Sequence, residues 1–455
     1  MTDSSAGEGA SPPPTTPQRL DLPDADGLSG RLFPPLPTEA EWSLERLHTL
    51  LDELDRPHRA YPTVHVGGTN GKGSVAVVWA SILKEAGHRV GLYTSPHLVR
   101  FAERFRVDGA SVDDAELIEA ASRIRDSVVR HGLTFFEAST VLAFRVFHRA
   151  RVDVAVVEVG LGGRLDATNV VRPEVCAVTS VGLDHVEYLG ETLEKVAAEK
   201  AGIAKVGVPF ITAEEDPALV EVLRRVAASR GASFHHLDDI DAPGDGGPIL
   251  LRKIGIEGSR FRLPTDSWGD LSLETPLVGR HQVRNVGLAV RALDLLTSPL
   301  RPDAESVVRG VREARWPGRF QVIREEGRFW ILDVAHNPAG MGALVETARE
   351  IGLPGPRIAV FGCLGDKDWR SMLGLLEGWA EGIVLVAVPG APPGRGWDPW
   401  AAREAFPDRC ETTSDLLAAL ERGRERTASG GSVLVTGSHR LVGAAHARLD
   451  AGSSP

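Results

Sequence analysis

Several things are scarce in this sequence, and each absence removes a class of function. No apolar stretch is long enough to span a membrane. The N-terminus starts with acidic and small residues and lacks the basic, then apolar, pattern of a secretory signal. Cysteine is nearly missing, with Cys176, Cys363 and Cys410 alone in 455 residues. An odd, widely spaced set fits neither a disulfide framework nor metal-ligand spacing, and reads as buried or idle thiols of a reducing compartment. Positive charge is in deficit: 51 Lys and Arg against 62 Asp and Glu leave a formal net charge of -11. That excludes the basic surface that nonspecific nucleic-acid binding requires, while leaving room for a small anion held by a local cluster of donors. No repeat at a solenoid period is present. A cytoplasmic protein with no nucleic-acid or membrane partner is expected.

The remaining composition, 42% hydrophobic and 25% charged, is that of a globular chain with enough length for two or three domains. Residues 1–38, rich in Pro, Ser, Thr and Asp, are expected to bury little and to be a disordered tail. Order is expected from near Glu41, where Leu44, Leu47, Leu51 and Leu54 form one apolar stripe at helical spacing. Short apolar strands then alternate with amphipathic helices. Thr63–Val66, Val90–Tyr93, Val152–Val157 and Val175–Val181 read as strands. Helices are expected over Ser74–Ala86, Asp113–Arg130, Thr192–Ala204 and Arg284–Leu296. Val152–Val157 is apolar except at Asp153, as in a central parallel strand buried on both faces. After the loop Asp238–Pro248, Ile249–Leu277 is strand-like and suggests an antiparallel flap. The alternation restarts past a junction near Ser298–Pro302, with strands at Phe329–Val334, Arg357–Phe361, Ile383–Val388 and Ser432–Thr436 and a helix at Ala339–Ile351. The expected fold is α/β: a first domain over 39–298 with a mainly parallel sheet, and a smaller Rossmann-like α/β domain over 299–455.

The strongest local signal is Gly67-Gly68-Thr69-Asn70-Gly71-Lys72-Gly73-Ser74, lying between an expected strand and an expected helix. Glycines let the backbone curl so that several N–H groups face one phosphate. Lys72 adds a cation, and the helix start adds a favourable dipole. Gly73 separates Lys72 from Ser74, so the hydroxyl that normally follows the lysine of a phosphate loop is displaced, and a metal there needs another ligand.

Other chemistry-bearing residues fall at the C-terminal tips of strands, where parallel sheets bind ligands. Glu158 ends one strand and faces the phosphate loop, as a magnesium ligand does; by itself it also reads as a strand-end surface acid. His185, in Gly182-Leu183-Asp184-His185, ends another, with a purely structural histidine as its alternative. Ser95 marks a third tip and doubles as an ordinary turn residue. In the following loop Arg100, Arg104 and Arg106 alternate with Phe101 and Phe105. Aromatic faces suit a flat ring and arginines suit carboxylates; the competing reading is a loop anchored by two phenylalanines with solvated arginines.

These residues sit in a longer series: GTNGKGS (68–74), YTSPHLVRFAERFRVDG (93–109), TFFEAST (134–140), EVGLGGRLDATN (158–169), GLDH (182–185), AEKAGI (198–203), GRHQVRN (279–285), RWPGRFQ (315–321), LDVAHNP (332–338), DKD (366–368) and GSHRLVG (437–443). In content and order the series resembles the bifunctional folylpolyglutamate synthase/dihydrofolate synthase family, a branch of the Mur ligases, over roughly 41–450. The resemblance implies an ATP-dependent ligase that joins L-glutamate to dihydropteroate and to the glutamate tail of tetrahydrofolates, with Mg²⁺ as cofactor and ATP as co-substrate. It implies that Gly68, Thr69, Asn70, Gly71, Lys72, Gly73 and Ser74 bind ATP phosphates. Asn285, Arg319, Asp333 and His336 would reach the nucleotide across a domain interface; Asp333 and His336 also read as a helix-capping turn. Ser95, Glu158, His185 and a carbamylated Lys200 would hold the metal. On local sequence Lys200 is a solvated helix lysine, and only the resemblance gives it this role. Arg100, Arg104, Thr134, Phe136 and Asp166 would lie by the folate or pterin. Lys72, Glu158, His185, Lys200 and Arg319 would carry the chemistry, through an acyl phosphate. A monomer is expected.

Two alternatives remain open at this point. A Mur-type ligase of cell-wall precursors shares the fold and mechanism, but uses a domain of about 100 residues ahead of the phosphate loop and the commoner GKT/GKS ending. A nonenzymatic nucleotide-dependent binding module explains the phosphate loop but not Ser95, Glu158, His185 and Lys200 in one ordered set.

Overall fold

The computed structural model describes residues 22–28, 43–239, 249–297, 299–427 and 430–451. Helix α1 (Glu45–Glu53) buries Leu47, Leu50 and Leu51. It leads to β1 (Thr63–Gly67), whose five residues are all buried, and to α2 (Lys72–Glu85), which begins inside the glycine loop. Next come β2 (Val90–Tyr93), β3 (Phe105–Val107), β4 (Ala110–Ser111), α3 (Asp114–Arg130) and α4 (Phe135–Ala150). Strand β5 (Val154–Glu158), β6 (Val175–Val178), the short helix α5 (Val186–Leu189) and α6 (Leu193–Ala201) follow. Strand β7 (Pro209–Thr212), α7 (Pro217–Ser229) and β8 (Ser233–His236) complete the first sheet's elements.

These eight strands lie in the order β4-β3-β2-β5-β1-β6-β7-β8, parallel except for the antiparallel edge pairs β2–β3 and β3–β4. β1 runs between β5 and β6, with Val66 opposite Glu158 and Ala177. The continuous apolar run at Val154–Val157 is explained by this central position, since packed layers cover both faces. On one face Val64, Val66, Val154 and Val156 meet Trp79 and Leu83 of α2. On the other, Ala155 and Val157 meet Leu117, Leu142, Phe144 and Phe147.

Part of the tail expected to be disordered is packed: Ala25 and Leu28 are fully buried in the second of these cores, and Asp26 accepts a 2.6 Å hydrogen bond from the Phe101 amide. Leu22, Ala25 and Leu28 supply apolar contact that the composition of residues 1–38 as a whole concealed; the rest of the expected tail, and the loop Asp238–Pro248 apart from Asp238 and Asp239, lie outside the described residues.

The expected flap is a three-stranded antiparallel sheet of β9 (Leu250–Gly255), β10 (Gly258–Thr265) and β11 (Gly269–Thr275). Phe261, Leu263, Leu271 and Leu273 turn one face into the first domain's core. Helix α8 (Arg280–Asp294) follows, and then α9 (Ala304–Glu313). The latter lies past the expected junction at residue 298, yet it packs on α2. Ser81 donates to the Gly310 carbonyl at 2.7 Å, Arg309 pairs with Glu85 at 3.1 Å, and a side chain at Gly310 would strike the Ile82 backbone. The hydrophobic stripe of α9 therefore belongs to the first domain, and the chain changes domain between Ala314 and Gln321.

The second domain holds β12 (Gln321–Glu325), β13 (Arg328–Leu332), α10 (Pro338–Ile351), β14 (Arg357–Phe361), α11 (Trp369–Glu377), β15 (Gly382–Leu385), β16 (Cys410–Thr412) and β17 (Gly431–Thr436). Its sheet runs β12-β13-β17-β14-β15-β16, parallel except for β12. The C-terminal tips of β1, β5 and β6 and those of β13 and β17 face each other across a cleft. Among the described residues no helix is long and apolar enough to cross a membrane.

Candidate active site

The cleft between the domains has a volume of about 860 Å³. From the first domain it is lined by the glycine loop 68–74, Ser95, Arg104, Glu158, His185, Lys200 and Asn285; from the second, by Arg319, Asp333, His336 and Lys367. Residues more than 200 positions apart in sequence thus meet in one place.

The loop's form follows from its glycines. Gly68 has φ 139° and Gly71 has φ 89°, both in the region that disfavours a side chain. Space enforces the same choice, since a Cβ at Gly68 would strike Thr179 and one at Gly71 would strike Asn285. Lys72 folds back over the loop, donating to the Gly68 and Thr69 carbonyls at 3.1 Å each. The Ser74 hydroxyl is buried with no hydrogen-bond partner, although it lines the cleft. An orphaned hydroxyl at the start of a helix, under a lysine, fits a phosphate or a phosphate-bound cation.

Glu158 ends β5 and is 4% exposed. Burial pushes its carboxyl up, against the opposing pull of Lys72, a hydrogen bond from the Ser95 amide at 2.9 Å, Arg319 and Arg104. A carboxylate desolvated this far, facing three cations, is a good hard-cation ligand. Lys200, at the end of α6, is 3% exposed. Burial and then the nearby Lys72 charge push its amine down to about 7, partly opposed by Asp184 and Asp166. The solvated-lysine reading is therefore excluded, and the amine has the neutral form that carbamylation needs. His185 sits at φ 52° beside Asp184, and burial lowers its imidazole. Among the described residues no three His, Cys, Asp or Glu side chains converge as a ready cage.

From the second domain, Arg319 is part-buried and faces Asp333 and Glu158, and burial lowers its guanidinium against their opposing charges. Asp333 accepts from the Phe320 and Ala335 amides at 2.8 Å each, so it also braces the turn that carries Arg319. The His336 ring is held by the Val334 carbonyl at 2.9 Å. Asn285 donates to Gln282 at 3.2 Å beneath the glycine loop.

Four expected acceptor residues do not line the cleft. Arg100 is turned outward, paired with Asp114. Thr134 caps α4 through a reciprocal bond pair with Glu137, which Arg46 holds at 3.1 Å. Phe136 and Asp166 lie directly under the cleft-lining loop at 160–162: a side chain at Gly160 would collide with the Phe136 ring, and Asp166 accepts from the Leu161 amide at 2.8 Å. Arg104 does reach the cleft, braced on His97 at 2.9 Å. Phe101 and Phe105 are buried in the first domain's core, so the anchored-loop reading applies to them and neither presents a ring face to the cleft.

Sequence reasoning assigned no role to Asp184 and Lys367, which meet across the cleft at 2.6 Å. Nor did it assign roles to His281, His439 and Asn337. The signal available was their position within the GLDH, DKD, GRHQVRN, GSHRLVG and LDVAHNP runs.

Residues 66–293 match the Mur ligase middle domain, and residues 318–439 match the Mur ligase glutamate ligase domain. The dihydrofolate synthase/folylpolyglutamate synthase of Bacillus subtilis is 33% identical over 416 residues, covering 89% of this chain and 94% of that one. The chain belongs to the folylpolyglutamate synthase/dihydrofolate synthase family of Mur ligases. A probable bifunctional folylpolyglutamate synthase/dihydropteroate synthase of Haloferax volcanii is 37% identical over 88% of this chain, which spans 47% of that longer relative, about half its length. Among solved structures of the family, Mycobacterium tuberculosis folylpolyglutamate synthase complexed with ADP superposes with TM-score 0.83, at 31% identity, covering 94% of this chain and 97% of that one. The Escherichia coli FolC complex with DHPP and ADP gives TM-score 0.80 at 31% identity, covering 94% and 97% of the two chains.

Proposed function

We propose that this protein uses ATP to join L-glutamate to dihydropteroate and to the glutamate tail of tetrahydrofolates. The observation that carries the reading is the single cleft in which a phosphate-binding loop, a desolvated Glu158, a lysine held near 7 and Arg319 of the other domain converge. Family membership supplies the substrate class.

ATP phosphates lie on the loop amides of residues 68–74, and Lys72 exchanges its two loop carbonyls for phosphate oxygens. The acceptor's carboxylate lies over the loop at 160–162, with Arg104 beside it and Phe136 and Asp166 supporting the loop from below. Its oxygen attacks the γ-phosphorus in line, forming an acyl phosphate and ADP. Lys72 and Arg319 offset charge on the transferring group, more strongly once the closed domains exclude water. Ser95, Glu158, His185 and carbamylated Lys200 would hold Mg²⁺, which when bound adds Lewis-acid stabilisation of the same charge. The neutral amine of glutamate then attacks the acyl carbon, the acyl C–O bond to phosphate breaks, the amine gives up one proton to the departing phosphate, and the amide forms. Closure of the two domains keeps water from the activated acyl group. We further propose a monomer in the cytoplasm, where Cys176, Cys363 and Cys410, all free and buried, remain reduced.

The test is ADP release by purified protein with Mg·ATP and L-glutamate, adding dihydropteroate or tetrahydrofolate separately. Turnover with each acceptor supports both activities; turnover with neither, in folded and bicarbonate-treated protein, overturns the reading.

A further inference from the structure

At the crest of the glycine loop, Asn70 is held from both domains. Its backbone carbonyl accepts from the hydroxyls of Thr179 at 2.6 Å and Ser180 at 3.3 Å, both in the first domain. Its side chain faces Asn337 of the second domain in a reciprocal amide pair. Asn70 Nδ2 donates to Asn337 Oδ1 at 3.3 Å, and Asn337 Nδ2 donates to Asn70 Oδ1 at 3.0 Å.

The direction of that pair is fixed by the fold. Asn337 is the N-cap of α10, and its Oδ1 accepts the Gly340 backbone N–H at 2.8 Å. Only an oxygen can take that bond, so the amide cannot flip and its Nδ2 must face Asn70. Asn337 is buried, its backbone is extended at φ -142°, and Pro338 follows it at the first helical position. The carboxamide is thus rigid before any ligand arrives. A cap needs only a short oxygen, and serine or aspartate serves as well. The carboxamide here does more than cap.

We propose that Asn337 is a positioning residue for the phosphate loop. It registers the loop against the second domain, and so sets the transferring phosphate relative to Arg319. This rests on the nucleotide-site reading above. Loss of the pair frees the loop crest from the second domain while leaving the loop's glycines, Lys72 and Ser74 intact. The effect therefore falls on ATP affinity and on kcat, and leaves the acceptor's KM unchanged.

The experiment compares N337S, N337A, N70A and the N70A/N337A double variant. Serine keeps the cap but is too short to reach Asn70, whereas alanine loses both. Mg·ATP binding is followed by calorimetry, turnover by ADP release, and Tm by thermal denaturation. N337S, which keeps the cap, is expected to lose less Tm than N337A and to lose about tenfold in kcat/KM for ATP, the worth of one or two buried hydrogen bonds. N337A is expected to lose the same factor and also Tm. The double variant is expected to lose no more activity than N70A alone. Wild-type kcat/KM in N337S, or losses that multiply independently in the double variant, overturns the proposal. Wild-type protein that binds Mg·ATP but turns over no acceptor overturns the ligase reading instead, and calorimetry on the same variants still decides the role of Asn337.

Discussion

Replacing Lys200 by methionine separates what this residue does for catalysis from what it costs the fold. Its amine is held near 7 by burial and by the Lys72 charge. At pH 7.5 about three quarters of such amines are neutral, against about 0.1% for an ordinary lysine, so the reactive fraction is raised by several hundredfold. The folded value lies below the unfolded one. Between about pH 7 and 10.5 the unfolded chain therefore binds more protons than the native one, and stability rises with pH through that window. Below it the native state carries the whole penalty, on the order of 5 kcal/mol as an upper bound. K200M removes that penalty while keeping a similar apolar stem. In CO₂-free buffer at pH 7 the variant is expected to be more stable than the wild type by roughly 1–3 kcal/mol in urea denaturation, with the advantage shrinking towards pH 10. Turnover is expected to fall by about 10³-fold, the scale of losing an electrostatic group at the reacting centre. Wild-type protein equilibrated with ¹³C-bicarbonate should show a carbamate resonance that K200M lacks. A variant that retains turnover, or that is destabilised equally at every pH, would refute the assignment.

Other substitutions test the remaining geometry. E158Q is expected to lower kcat by about 10²–10³-fold with Tm unchanged or raised, because it removes a desolvated charge; ADP release and thermal denaturation check both. K367M leaves Asp184 half-enclosed without its 2.6 Å partner and is expected to cost about 2–4 kcal/mol. Burial raises the Asp184 carboxyl, but His336, His185 and Lys367 more than reverse this and hold it below the usual range. Its contribution is therefore present above about pH 4 and is lost as pH falls further, so the acid limb of a stability–pH curve should be shallower in K367M. F101A is expected to cost about 3–5 kcal/mol by denaturation, with the acceptor's KM unchanged, because the ring is core and not a substrate contact.

The sequence alone determined the alternating α/β architecture, because buried parallel strands must be continuously apolar and their helices amphipathic. It also determined the glycine loop, since only glycine tolerates φ values such as those at 68 and 71, and it placed Glu158, His185 and Ser95 at strand tips. Lys200 was different. Its burial comes from packing of α6 against the loop at 163–164, which no local pattern records; a side chain at Gly163 would strike the α6 carbonyls. The phenylalanines at 101 and 105 looked like a binding face and proved to be core, because an alternating loop pattern does not say which side faces the sheet. Leu22, Ala25 and Leu28 were masked by the polar composition around them. The domain change at 314–321 was set by the packing of α9 on α2, a contact between residues more than 200 apart. The pairs Asp184–Lys367 and Asn70–Asn337 exist only because the two sheets present their C-terminal edges to one another. Local chemistry chose the residues, and long-range packing decided which of them meet.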